Sequence, residues 1–188
     1  MFRNRRSDGN PPAPDRRGAG NREGIPDASL KAIRHREAEQ VAGILGVSRL
    51  IQEDFGDGQL RHRREQVTSY LSREIARINP DLILTHDLAG LDGHQDHVAC
   101  SEILTELKRT ELRRVSLWYA TLPPRVLRLL QLVGQLATDA SLDAKRAIPT
   151  HRLFIGSEVA PKILAWSSGP KASSTLCMAA RRSPIENG

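Results

Sequence analysis

One stretch concentrates the side chains able to do chemistry: His86-Asp87-Leu88-Ala89-Gly90-Leu91-Asp92-Gly93-His94-Gln95-Asp96-His97. Three of the chain's six histidines and three aspartates fall within it. Imidazole is a good zinc ligand, and a neighbouring carboxylate can fix its tautomer. His94 and His97 stand three residues apart, so on the first turn of a helix they share a face. The pattern admits two readings. In one, His-x-Asp-His is a metal-binding or catalytic element. In the other, Asp96 is an ordinary acidic residue favoured by the dipole at a helix start, and the short motif is a chance match.

These residues need elements to position them. Asp81-Leu82-Ile83-Leu84-Thr85 is a short apolar run whose length and composition suit a buried parallel strand. In open α/β sheets ligands bind beyond the carboxyl ends of strands, and the loop from His86 to Gly93 leaves such an end. A helix from about Gln95 to Thr110 follows, with Val98, Ile103, Leu104 and Leu107 inward. Upstream, Leu30, Ile33, Val41, Ile44 and Leu45 recur at helical spacing, and Gly46 sits where a C-terminal glycine belongs. Val47 to Ile51 is a strand candidate, and Asp54-Phe55-Gly56-Asp57-Gly58 is a turn cluster. Leu60, Val67, Leu71, Ile75 and Ile78 mark a second helix that Pro80 forbids from running on. Val115 to Ala120 reads as another strand. The order α-β-α-β-α-β predicts an α/β layered domain with a mostly parallel sheet.

Beyond it, Pro123 and Pro124 open a helical stretch through Leu136, apolar around much of its circumference, as a buried or partner-covered helix would be. His151 to Ile155 reads as a further strand and Glu158 to Trp166 as a short helix.

The chain has 188 residues, room for one ordinary domain. No apolar run is long enough for a membrane span, and no apolar block near Met1 resembles a signal peptide. Cys100 and Cys177 form no spaced pair, which excludes a Cys-based zinc finger and fits a reducing, cytoplasmic setting. The net charge of +6 is concentrated at the ends. Residues 1–24 carry six Arg against Asp8, Asp15 and Glu23, a balance of +3. Residues 171–188 carry Lys171, Arg181 and Arg182 against Glu186, a balance of +2. That leaves +1 for residues 25–170, so the domain itself has no basic surface of the kind nucleic acid favours. Residues 1–24, rich in Arg, Gly, Pro and Asn, read as a disordered basic tail. Residues 25–166 read as the domain and 167–188 as a frayed C-terminal tail.

Gly93-His94-Gln95-Asp96-His97, following an apolar strand that ends Leu84-Thr85-His86-Asp87, resembles a signature of the LmbE/PIG-L family of zinc-dependent de-N-acetylases. Arg34-x-x-Glu37-Ala38 with Leu45-Gly46-Val47, Phe55-Gly56-Asp57-Gly58-x-Leu60, and Asn79-Pro80-Asp81 are similar to further elements of that family in the same order. The likeness covers roughly residues 28–120 and is weaker through Lys162 and Ala165. It implies a Rossmann-like layered fold and metal-assisted hydrolysis of an N-acetylglucosaminyl or related amide. By the same resemblance His97 is a zinc ligand. His94 polarises the scissile carbonyl or stabilises the oxyanion, and Asp96 holds His94 in orientation. Arg34 and Asp57 contact a small-molecule amino-sugar conjugate.

The family's other signature, His-Pro-Asp-Asp, supplies two zinc ligands and the general base, and it occurs nowhere in this chain. The expectation is therefore an N-terminally truncated domain with an incomplete zinc site, or a non-catalytic relative acting as a carbohydrate-binding or interaction module. His86 and Asp87 are the residues from which a different three-ligand cluster would draw. A sheet without its first strand would leave an edge open to self-association.

Overall fold

The structure is a computed structural model that describes residues 27–134, 136, 138–154, 156, 159–168 and 176–179. The tail expected over residues 1–24 lies outside them, as does most of 167–188.

The core is built where the apolar spacing is most regular. Helix α1 (Asp27–Ile44) leads into β1 (Leu50–Glu53), α2 (Arg64–Ile78) and β2 (Leu82–His86). After the short turn α3 (Gly90–Gly93) come α4 (Gln95–Thr110) and β3 (Ser116–Ala120). On α2, Val67, Leu71, Ile75 and Ile78 recur three to four residues apart, and all are buried. Asn79 ends this helix in a left-handed conformation, its N–H returned to Ile75, with Pro80 next. On α4, Ala99, Cys100, Ile103, Leu104 and Leu107 face α2, and the two helices form one apolar cluster with Leu60.

β2 and β3 pair in parallel, with Leu82 opposite Ser116 and His86 opposite Ala120. Side chains alternate across this pair. Ile83 and Leu117 pack onto the helical core, whereas Leu82, Leu84 and Trp118 stay exposed on the opposite face. The α/β order and the parallel pairing agree with the expected Rossmann-like layered fold.

Three expectations are corrected. β1 does not join the parallel pair; it pairs antiparallel with β4 (Leu176–Ala179), inside the stretch read as a frayed tail. So short an apolar run gives no periodic signal, and pairing with β1 is what makes it a strand. Residues 151–154 form no strand. The helix expected from Pro123 onward, α5 (Pro124–Leu132), is amphipathic and has no buried residue, with Leu129 and Leu132 exposed, so of the two readings, buried or partner-covered, the buried one falls. Beyond it lie α6 (Ala140–Asp143) and α7 (Val159–Ser168), the latter packed on α1.

Candidate active site

The loop that leaves β2 is shaped first by a buried carboxylate. Asp87 is fully buried and accepts hydrogen bonds from the Thr121 hydroxyl at 2.6 Å and from the N–H groups of Ala89 and Leu91 at 3.2 Å. A buried charge persists only when it is satisfied in this way. Asp87 is thereby tied to the loop. Gly90 then turns with φ +68°, and a Cβ there would lie 2.9 Å from the Val98 backbone nitrogen, so only glycine fits.

The loop delivers Asp92 to the histidines. Its Oδ1 accepts from the His94 N–H at 3.0 Å and from His97 Nδ1 at 2.9 Å. Burial alone would raise Asp92, but the His97 and His94 hydrogen bonds and the His97 charge bring it down to about 2. Burial likewise opposes protonation of His97, yet the Asp92 hydrogen bond and charge outweigh it and raise the imidazole. With Nδ1 donating to Asp92, the Nε2 of His97 is the nitrogen left for a ligand. The ring of His86 lies 4.3 Å from that of His97, and burial followed by the His97 charge lowers its pKa.

His94 is the N-cap of α4, and its Nδ1 accepts from the Asp96 N–H at 3.2 Å. A neutral His94 therefore carries its proton on Nε2, which stands 3.7 Å from Oδ1 of Asp57. Asp96 is buried, and its carboxylate reaches across to the 54–58 turn. Oδ2 accepts from Gly58 N–H at 2.6 Å and Oδ1 from Leu60 N–H at 3.1 Å. Gly58 turns here with φ +70°, a conformation that favours glycine. Asp96 thus touches His94 through its backbone, while its carboxylate fixes the turn that carries Asp57. The resemblance assigned that carboxylate to His94.

Asp57, His94 and Asp96 each offer a ligand atom, all within 4.8 Å of one another. The ring of His97 lies 5.1 Å from that of His94. Four of the five expected site residues are therefore neighbours. Arg34 is the fifth. It sits on α1, where its guanidinium is paired with Glu37 at 2.8 Å. Asp92, Thr121 and Arg146, none of them an expected site residue, also shape the loop. Asp92 stood within the His/Asp-rich stretch. Arg146 gave no local signal, because its contact is with the Leu91 carbonyl 55 residues away.

This is an α/β domain with its polar cluster at the carboxyl end of a parallel strand, where such sheets bind ligands. Comparison with known protein families matches residues 7–108 to PIG-L, GlcNAc-PI de-N-acetylase. That is more than half of the chain, and the chain belongs to this family of de-N-acetylase-type hydrolases. The match holds all five expected site residues and reaches into the segment that composition alone reads as a tail. No curated protein and no solved structure matches the chain. Among the described residues no helix is long and apolar enough to cross a membrane.

Proposed function

We propose that the chain is a metal-dependent hydrolase of the type that removes the acetyl group from an N-acetylglucosaminyl or related amide, impaired by the absence of the His-Pro-Asp-Asp signature. The observation that carries this reading is the presentation of His97. Asp92 occupies Nδ1 and leaves Nε2 for a metal, as the carboxylate behind a ligating histidine commonly does. Imidazole and carboxylate are donor types that suit zinc, but a catalytic zinc takes three protein ligands, and His97 is the one member of the family's set that this chain retains. A bound zinc supplies an acidified water and polarises the acyl oxygen.

Part of the remaining chemistry belongs to the chain's own side chains. Nε2–H of His94 would donate to the oxygen that gains charge, whereas the base that would take the proton from the attacking water and pass it to the departing amine belongs to the His-Pro-Asp-Asp signature that this chain lacks. Asp96 keeps His94 in place through its N–H, and keeps Asp57 near through the turn it anchors. Asp57 accepts from sugar hydroxyls. Arg34 contributes the guanidinium N–H groups that Glu37 does not take, a guanidinium having five. The cytoplasm is the proposed setting, on the separated cysteines.

One observation favours a second placement of the metal. Asp57, His94 and Asp96 converge as a three-donor group, and His97 is outside it. Zinc per chain, measured by elemental analysis, separates the two placements. Near one zinc in the wild type, lost in His97→Ala, supports the first. Zinc kept in His97→Ala but lost in Asp57→Asn supports the second. No zinc in any form would overturn the metal-dependent reading and favour a non-catalytic carbohydrate-binding relative.

A further inference from the structure

Leu91, next to Asp92, has φ 61° and ψ −59°. A side-chain-bearing residue rarely adopts this conformation, and it persists only where the surroundings over-determine it. Two groups hold Leu91 from opposite sides. Its N–H is taken by the Asp87 carboxylate, and its carbonyl accepts from Nη1 of Arg146 at 2.8 Å. The strain sits one residue before the carboxylate that fixes His97.

Arg146 is itself held. Its side chain is only 9% exposed, and its Nε donates to Asp143 Oδ1 at 2.8 Å. Asp143 in turn accepts from Gln131 of α5 at 2.9 Å through Oδ2. The same stretch meets the loop once more directly, and once through Thr121. Leu142 approaches Gly93 so closely that a Cβ there would lie 2.9 Å from its Cδ1. The Thr121 hydroxyl lies 2.6 Å from Asp87 and 3.0 Å from the Ala147 carbonyl. Residues 139–147 therefore cover the loop, and all of them lie beyond residue 108, where the family match ends.

We propose that Arg146 is a positioning residue: by holding the Leu91 carbonyl it sets Asp92 against Nδ1 of His97. A guanidinium suits the task, because its rigid fork can serve the carbonyl and Asp143 together. Only the consequence for metal binding rests on the functional reading above.

The test reads the His97 ring directly. In the metal-free, nitrogen-15-labelled full chain at alkaline pH, long-range proton–nitrogen spectra report which ring nitrogen carries the proton. The His97 signals are assigned by their loss in His97→Gln. The wild type should show one tautomer, protonated on Nδ1. Arg146→Met should give a mixed tautomer and weaken zinc binding roughly tenfold or more, the usual size for loss of support behind a metal ligand. Arg146→Lys, which keeps one donor, should recover part of both. If Arg146→Met does not fold, Asp143→Asn, which removes the anchor of Arg146 and leaves the arginine, should show a smaller shift of the same kind. A folded Arg146→Met with an unchanged His97 tautomer would overturn the proposal, and so would an unchanged Asp143→Asn standing in for it. A wild type that binds no zinc, with the tautomer still lost in Arg146→Met, would leave the positioning role intact and remove the metal-dependent reading alone.

Discussion

Asp96 holds two segments of the polar cluster together. Its two oxygens take two backbone N–H groups of the 54–58 turn region, and its own N–H goes to His94. An amide in its place can accept one of those bonds but presents a second donor to the other. Asp96→Asn should therefore destabilise the fold by about 2 kcal/mol, read as a lower urea midpoint. An unchanged midpoint would mean that the turn does not depend on this carboxylate. Cys100 gives a residue-scale prediction of a different kind. Burial, partly offset by a hydrogen bond to Thr85, raises its thiol from 9.0 to about 11. The unfolded thiol ionises first, so stability from this group is whole below about pH 9 and is lost as pH rises towards about 11. In the native chain at pH 8, Cys100 should resist alkylation and react only in denaturant, as peptide mapping would detect. Much of the site was legible at this scale, since His94, Asp96, His97 and Asp57 lie close together as expected. Asp92 was legible as a residue but not as the partner of His97, because a five-residue separation across a strained turn has no sequence signature.

Among the elements, the two central helices were readable because their apolar residues repeat every three to four positions, and α4 has the bounds its pattern gave. Their interface is the source of stability. Leu71 is 1% exposed between α2 and α4, and Leu71→Ala should cost about 3 kcal/mol in unfolding free energy. A loss below about 1 kcal/mol would place the core elsewhere. β1, β2 and β3 were legible, and so was the parallel pairing of β2 with β3, but β4 and its antiparallel pairing with β1 were not. β1 meets a partner more than a hundred residues away, and four apolar residues cannot announce which edge they join. The apolar α5 was expected to be covered, yet composition cannot say whether a helix's apolar stripe is covered within its own chain.

For the whole molecule, the central question is what the open parts of the fold meet. Among the described residues β2 pairs only with β3, and the outer face of that pair exposes Leu82, Leu84 and Trp118, with His151 stacked on the tryptophan ring. An open strand edge beside an apolar face favours self-pairing. Sedimentation should show mass rising with concentration, reduced by Leu84→Lys. A monomer at every concentration would contradict it. The fold class was legible from element order alone, and so was the placement of the polar cluster at a strand end, since both follow from local pattern. The cover formed by residues 139–147 was not, because it is made by single long-range contacts. The most direct measurement is acetate released from an N-acetylglucosaminyl substrate by the zinc-supplemented chain, beside His97→Ala and His94→Ala. Release by the wild type, with both variants reduced at least a hundredfold, is the predicted result, on the scale of a lost metal ligand or acid–base group. No release by the wild type, or equal release by all three, would contradict it.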